Sequence, residues 1–238
     1  MRIWGISDLH LAGGSNKSMD LFGRHWQDHV GKMQQAWDEL VDVDDVVLCP
    51  GDLSWAMRLA QAQQDLQWIA CRPGRKVLLR GNHDYWWSSL KQVRAALPAG
   101  CVALQNDSID VGSWIVAGAR GYDLPQPQGL MSSQDRQIYE RELVRLRLSL
   151  QHARQQPQPD KPLIVAMHYP PCGYMTQAGA KDDFVALLQE FGVKICVYGH
   201  LHGDSVQKLA VQGVVDGIAY HLIACDWLQF RPKLIAQC

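Results

Sequence analysis

Residues 77–84 read Val-Leu-Leu-Arg-Gly-Asn-His-Asp, and this stretch decides how the rest of the sequence is interpreted. Its three apolar residues are typical of the end of a short buried strand. A turn follows, in which Asn82, His83 and Asp84 stand side by side. In α/β proteins the loops after the strands carry binding and catalytic side chains. The stretch therefore predicts a functional site at the end of a strand in an α/β fold.

Four other apolar runs end in the same way, with histidine or aspartate shortly after the last apolar residue. The runs are residues 3–7, 46–49, 163–167 and 195–198, and the side chains after them are Asp8, His10, Asp52, His168, His200 and His202. Because parallel strands bring their carboxyl ends to one edge of a sheet, we expect these side chains to converge there with Asn82.

These seven side chains combine imidazole nitrogens with carboxylate or amide oxygens and include no thiolate. Such a donor set suits Mn²⁺, Fe²⁺ or Fe³⁺, Zn²⁺ or Co²⁺ better than a structural zinc site. Seven ligands exceed what one ion needs, and they are about right for two ions that share a bridging carboxylate. Two such ions can activate water and stabilise displacement at phosphorus. The sequence therefore predicts a dinuclear metal centre.

Glycines accompany the predicted ligands and allow the backbone to turn sharply beside an ion. They are Gly51, Gly81, Gly199 and Gly203. The spacing of His200 and His202 leaves two possibilities open. In an extended segment both rings would point to the same face, whereas in a turn they would diverge to different metals.

Composition limits the class of protein. The 238 residues suit one α/β domain over residues 1–238, and a net charge of −1 gives no overall attraction to nucleic acid or anionic membrane. Seven cysteines without a Cys-x-x-Cys motif favour a reduced, cytoplasmic chain. No apolar run has the roughly 20 residues of a spanning helix, and a strand that starts near Met1 leaves no room for a signal peptide. The sequence predicts no particular oligomeric state.

Hydrophobic periodicity predicts helices between the apolar runs. The helices expected are 30–41, 58–71, 86–97, 132–155 and 182–191. Residues 102–119 show three short runs separated by turn residues, which predict consecutive antiparallel strands, and residues 214–235 predict further strands. Residues 11–31 and 121–160 are the segments long enough to cover the site as a lid.

The motifs Asp-x-His, Gly-Asp, Gly-Asn-His-Asp, a lone histidine after a strand, and Gly-His-x-His occur in that order between residues 8 and 203. This order resembles the calcineurin-like metallophosphoesterase superfamily, and within it the small bacterial predicted phosphohydrolases. The resemblance implies a four-layer αββα sandwich of two mixed β-sheets flanked by helices. It also implies a dinuclear metal site at the strand tips.

The resemblance assigns a role to each candidate residue. Asp8, His10 and His202 would hold the first metal, Asn82, His168 and His200 the second, and Asp52 would bridge them. His83 would contact the phosphoryl oxygen or protonate the leaving group, Asp84 would orient the His83 ring, and Arg80 would contact phosphate.

The implied function is hydrolysis of a phosphomonoester or phosphodiester by a metal-bridging hydroxide, with manganese as the expected activating ion and a phosphorylated small molecule as the substrate. A protein phosphatase is the alternative, because the order Arg80-Gly81-Asn82-His83 resembles the Ser/Thr protein phosphatases. However, those enzymes continue after Gly-Asp with an Asp-Arg-Gly element, which residues 53–56 lack. A non-catalytic metal-binding interaction module is a further alternative, but the ligands and the acid histidine are all present.

Overall fold

The computed structural model describes residues 1–13, 17–124, 131–173 and 182–238. The strands in these ranges are β1 (Arg2–Gly5), β2 (Val46–Pro50), β3 (Arg75–Leu79), β4 (Cys101–Ala103), β5 (Ser108–Val111), β6 (Trp114–Ala119), β7 (Leu163–Met167), β8 (Ile195–Tyr198), β9 (Gly213–Val215), β10 (Ile218–Leu222) and β11 (Lys233–Gln237). The α-helices are α1 (His29–Leu40), α2 (Leu59–Ala70), α3 (Leu90–Ala96), α4 (Ser133–Arg154), α5 (Asp183–Glu190) and α6 (Asp204–Gln207). Two 3₁₀ turns, Met19–Phe22 and Arg24–Trp26, precede α1.

Helix boundaries follow from capping. Helix α4 begins after Ser132, whose side chain accepts a hydrogen bond from the backbone N–H of Asp135, so the predicted 132–155 helix is confirmed. Helix α3 is shorter than the predicted 86–97. Ser89 caps its first turn, while the indole of Trp86 donates to Asp84 and holds the preceding residues in a turn.

The strands form two mixed sheets. The first has the order β11-β1-β2-β3-β4, in which β11 is antiparallel to β1 and the other neighbours are parallel. The second has the order β5-β6-β7-β8-β10-β9, with antiparallel pairs at both ends and a parallel centre.

Two strand predictions need correction. The run at 102–104 was expected to pair antiparallel with the next run, but the strand found there, β4, pairs parallel with β3 in the first sheet. Only β5 and β6 form the predicted hairpin, around Gly112 and Ser113. In the C-terminal part, β11 begins at Lys233, because the preceding residues turn back through hydrogen bonds such as that from the Phe230 N–H to the Cys225 carbonyl.

The sheets stack face to face and bury an apolar layer between them, which includes Ile3, Leu48, Val77, Val116 and Ile164. The outer face of the first sheet packs against α1, α2 and α3, and that of the second sheet packs against α4 and α5. The predicted αββα sandwich is therefore confirmed. No helix in the described parts of the chain combines the length and apolar character needed to cross a bilayer.

The segment after β1 joins the two sheets. The N–H of Ile6 donates to Leu48 of the first sheet, the N–H of Ser7 donates to Ile223 beside the second sheet, and the N–H of Asp8 donates to Gly51. The carboxyl ends of β1, β2 and β3 therefore meet those of β7 and β8 at one edge.

Helix α4 buries one face against the second sheet as part of the outer layer. Residues 14–16 and 125–130, which belong to the two predicted lid segments, lie outside the described residues. The covering role of 11–31 and 121–160 stays a prediction.

Candidate metal centre

The structure brings Asp8 and His10, from the loop after β1, together with His202, from the loop after β8. Their ligand atoms all lie within 4.8 Å of one another. Nε2 of His202 lies 3.5 Å from Oδ1 of Asp8 and 3.4 Å from Nε2 of His10. One carboxylate oxygen and two imidazole nitrogens thus face a common point, as a transition-metal ion requires.

A second group gathers around the side-chain oxygen of Asn82. This oxygen lies 2.6 Å from Nε2 of His168 and 3.0 Å from Nδ1 of His200. The other ring nitrogen of His168, Nδ1, lies 3.1 Å from the carbonyl oxygen of Pro50. Because a carbonyl can only accept, Nδ1 carries the hydrogen and Nε2 keeps its lone pair for a ligand bond.

Asp52 lies between the two groups. Its Oδ1 is 3.5 Å from Nε2 of His168, and its Oδ2 is 3.9 Å from Nε2 of His10. Asp8 also approaches the second group, since Asp8, Asp52 and His168 offer ligand atoms within 4.8 Å of one another. However, its contact at 3.9 Å is to the His168 nitrogen that faces Pro50, so Asp52 is better placed to bridge.

Four of the predicted ligands have left-handed backbone conformations. The φ angles are 59° at Asp8, 46° at His10, 51° at Asp52 and 70° at His200. Such conformations are uncommon for residues other than glycine and cost roughly 1–3 kcal/mol each, so they persist where the surrounding structure enforces them. At His200 the turn decides the open question of spacing, because its ring faces Asn82 while that of His202 faces Asp8.

Three glycines leave room for the ligands. A Cβ on Gly81 would lie 2.1 Å from Oδ1 of Asp52, one on Gly199 would lie 2.2 Å from Oδ2 of Asp8, and one on Gly51 would lie 2.6 Å from Nδ1 of His168. Larger residues cannot occupy these positions without displacing a predicted ligand. The sequence predicted sharp turns here, and the structure adds close packing as the reason for glycine.

The electrostatics of the site fit a cation. Burial and the charge of Asp8 raise the pKa of Asp52 to about 7, because two carboxylates share one buried site. Burial lowers the pKa of His200 to about 3 and also lowers the pKa values of His10 and His168, so their rings are neutral and can donate lone pairs. Two metal ions among these donors would offset the carboxylate repulsion.

The resemblance implied that Asp84 orients the ring of His83, but Asp84 makes other hydrogen bonds. Its carboxylate accepts hydrogen bonds from the backbone N–H groups of Gly81, Leu53 and Ser54 and from the indole of Trp86. Within the described residues, Nδ1 of His83 is buried without a hydrogen-bond partner. Asp84 instead ties the loop after β2 to the loop after β3, and therefore holds Asp52 and Asn82 in position.

His83 lies at the side of the first group. Its backbone N–H donates to Oδ1 of Asp52 at 2.8 Å, and its ring centroid lies 6.0 Å from that of His10. The Trp55 ring stacks on His10 at 4.8 Å and contacts His83 at 4.7 Å. Trp55 and Trp26 therefore line the site, whereas the rings of Trp86 and Trp87 contact each other.

A family model described as calcineurin-like phosphoesterase matches residues 1–204, which include all seven predicted ligands as well as His83. The chain belongs to the calcineurin-like phosphoesterase family. Membership confirms the resemblance found in the sequence motifs. It also supports the expectation of a hydrolase that acts on phosphoric ester bonds.

Among curated proteins, two phage proteins of similar sequence match part of the chain. The Gene 66 protein of Mycobacterium phage L5 is 39% identical over 83 residues, and that of phage D29 is 42% identical over 84 residues. Each alignment covers 34% of this chain and spans 39% or 40% of the relative's own length.

Two solved structures have a fold similar to that of this chain. Phosphopantetheinyl hydrolase (PptH) from Mycobacterium tuberculosis is similar with a TM-score of 0.60 and 14% identity, covering 100% of this chain and 96% of that one. The protein of unknown function AQ665 from Aquifex aeolicus is similar with a TM-score of 0.52 and 13% identity, covering 98% and 94%. At these identities the likeness concerns the fold alone.

One feature of the centre lies beyond the part matched by the calcineurin-like phosphoesterase model. Oδ1 of Asp226 lies 3.0 Å from Nδ1 of His202, and Oδ2 accepts a hydrogen bond at 2.9 Å from the buried side chain of Gln207. Hydrogen bonds to Asp226 and Asp8 outweigh burial and raise the pKa of His202 to about 10. The sequence interpretation missed Asp226, although it follows the apolar run at 218–225 just as the other aspartates follow theirs.

Proposed function

We propose that this chain is a metal-dependent phosphoesterase that hydrolyses a phosphomonoester or phosphodiester of a small molecule. One observation carries the proposal. Two groups of donor side chains meet at the edge shared by both sheets, and Asp52 lies between them with one oxygen toward each. A single ion would not need two donor groups joined by a carboxylate. The arrangement suits two ions about 3.5–4 Å apart.

The side chains proposed to hold the ions are those predicted from the motifs. Asp8, His10 and His202 would hold one ion, Asn82, His168 and His200 the other, and Asp52 would bridge. When bound, two such ions supply an activated water and charge neutralisation at phosphorus. We propose manganese as the activating ion, because the carboxylate and amide oxygens of the set suit it and no soft thiolate is present.

His83 is proposed to contact the phosphoryl oxygen or to protonate the leaving group. It is half buried beside the first donor group, and its ring belongs to neither group. Its Nδ1 has no hydrogen-bond partner among the described residues. Its backbone bond to Asp52 and the flank of Trp55 fix the position of the ring. A positioned histidine of this kind contributes about 10²- to 10⁴-fold to a reaction that involves proton transfer.

Two alternatives have less support. A Ser/Thr protein phosphatase activity would need a protein-binding surface, and the loop at residues 53–56, buried in this structure, differs from that of the protein phosphatases. A non-catalytic metal-binding module would have no need for His83.

We also propose a cytoplasmic location, supported by seven cysteines that are all free thiols.

The proposal is tested by a substrate screen. The purified protein, loaded with Mn²⁺, is assayed with 4-nitrophenyl phosphate, bis(4-nitrophenyl) phosphate and a set of nucleotides. We expect hydrolysis of at least one class and its loss after chelation. If the loaded protein binds two ions but hydrolyses none of these substrates, the result would contradict the phosphoesterase proposal and favour the non-catalytic alternative.

Replacement of His83 separates catalysis from metal binding. We expect His83→Ala to retain both ions, because its ring belongs to neither donor group, and to lose about 10²- to 10⁴-fold in kcat. Metal analysis and steady-state kinetics measure the two effects, with the exposed His25→Ala as the matched control. A fall in metal content of His83→Ala would show that the role assigned to His83 is wrong.

A further inference from the structure

A cluster of charged side chains lies beside the Asn82 and His168 side of the centre. It consists of Arg80, Arg120, Glu142 and Arg145. Glu142 of α4 is completely buried, and its Oε1 accepts a hydrogen bond at 2.7 Å from Arg145 and lies 3.6 Å from Nη2 of Arg120. The charge of Arg80 interacts with those of Arg120, Arg145 and Glu142, and with that of Asp84.

The positive charge of this cluster exceeds its negative charge. The guanidinium groups of Arg120 and Arg145 lie against Glu142, and the charge of Arg80 interacts with all three. The neighbouring Asp84 carboxylate is already occupied by four donors. Nε of Arg80 and Nε of Arg120 are buried without a hydrogen-bond partner among the described residues. Oε2 of Glu142 is likewise buried without a partner. Both arginine side chains are only partly buried, so an anion from the solvent can reach their guanidinium groups and would offset the surplus positive charge.

Both arginines connect directly to the metal centre through the backbone. Arg80 follows β3 and precedes Asn82 by two residues. Arg120 follows β6, and its carbonyl accepts hydrogen bonds from the N–H groups of His168 and Tyr169 at 3.1 and 2.9 Å. The ends of β3 and β6 also touch, since a Cβ on Gly118 would lie 2.9 Å from the Leu79 side chain. The arginine pair therefore adjoins the second donor group.

We propose that Arg80 and Arg120 bind a second anionic group of the substrate, a phosphate or carboxylate, while the metal centre holds the phosphoryl group that reacts. This inference rests on the proposed function and narrows its substrate class to esters that carry two anionic groups. Guanidinium is suited to this task, because its planar fork of N–H groups forms paired hydrogen bonds with two oxygens of one anion. Arg80 is thus assigned to the second anionic group of the substrate rather than to the reacting phosphate.

Binding of phosphonates tests the subsite without turnover. Isothermal titration calorimetry of the Mn²⁺-loaded protein compares methylphosphonate with alkane bisphosphonates of increasing length. We expect one bisphosphonate to bind at least tenfold more tightly than methylphosphonate. Arg120→Gln and Arg80→Gln should each reduce that preference at least fivefold, and Arg147→Gln, whose side chain pairs with Glu190 on the outer face of α4, should not change it.

Four results would overturn the inference. The wild-type protein could show no preference for any bisphosphonate, or both arginine variants could keep the preference in full. Equal weakening of both phosphonates, together with lower melting temperatures, would show that the cluster only supports the fold. Binding of two methylphosphonates per protein, one of them lost in the arginine variants, would assign the subsite to a separate small anion. Failure of the proposed function is seen independently, as absence of hydrolysis in the substrate screen.

Discussion

The two sheets contribute different candidate ligands to the proposed metal centre and hold them in different ways. The first sheet supplies mainly oxygen donors after β1, β2 and β3, and backbone N–H groups hold them, as the N–H of His83 holds Asp52. The second sheet supplies imidazoles after β7 and β8, and acceptors lie behind two of these rings, as Pro50 lies behind His168 and Asp226 behind His202. A carboxylate needs donors around it, whereas an imidazole needs an acceptor that fixes its hydrogen on the far side.

The largest loss of metal binding is expected from a change at Asp52, which lies between the two donor groups. Asp52→Asn removes the charge that bridges the two groups, so both ions should be lost together and turnover with them. The fold should persist, because burial and Asp8 already raise the pKa of Asp52 to about 7 in the metal-free protein. Metal analysis and thermal unfolding of the metal-free protein test this. Selective loss of one ion would contradict the bridging role.

Two glycines allow the halves to be compared by equivalent changes. In Gly81→Ala the new Cβ would lie 2.2 Å from the backbone nitrogen of Asp52, whereas in Gly199→Ala it would meet the side chains of Asp8 and Ser7. Backbone yields less readily than side chains, so we expect Gly81→Ala to lose more metal affinity. Each change should destabilise folding by about 1–3 kcal/mol. Urea unfolding and metal titration measure both, and equal losses of affinity would remove the distinction.

A smaller effect is expected from the acceptor behind an imidazole. Asp226→Asn should weaken binding of one ion by about 10- to 100-fold, because His202 loses the charge that orients its ring. Metal titration measures the change, and Asp216→Asn, in the exposed turn between β9 and β10, is the matched control. Unchanged affinity in Asp226→Asn would show that the ring of His202 is held by packing alone.

The site was accessible to sequence analysis because its residues obey a local rule. Each predicted ligand follows an apolar run, and parallel pairing of β1, β2 and β3, and of β7 and β8, brings the ends of the runs together. The αββα layers followed from the family resemblance of these motifs. The roles of the individual ligands and of His83 stay predictions until ions and substrate are bound.

Other features depended on tertiary contacts that local patterns do not contain. The strand at 101–103 has the same pattern in either pairing, and its partner β3 was fixed only by the packed sheet. Asp84 was assigned to the His83 ring from the family resemblance, whereas the N–H groups of Leu53 and Ser54 occupy its oxygens in the fold. The Arg120–Glu142 contact joins a loop to a helix. Apart from the opposite charges of the two residues, no sequence pattern predicts that they meet.

The hydrogen bond from the Cys225 thiol to the Asp8 carbonyl joins residues that are 217 positions apart, and the rings of His10 and His202 meet across 192 positions. Contacts of such long range close the largest loops of the chain, and they form late because their entropic cost comes before their benefit. During synthesis, Asp8 and His10 emerge long before the residues that complete their site. We therefore expect the choice of metal to be made by a nearly finished molecule, so that metal content reports whether folding has been completed.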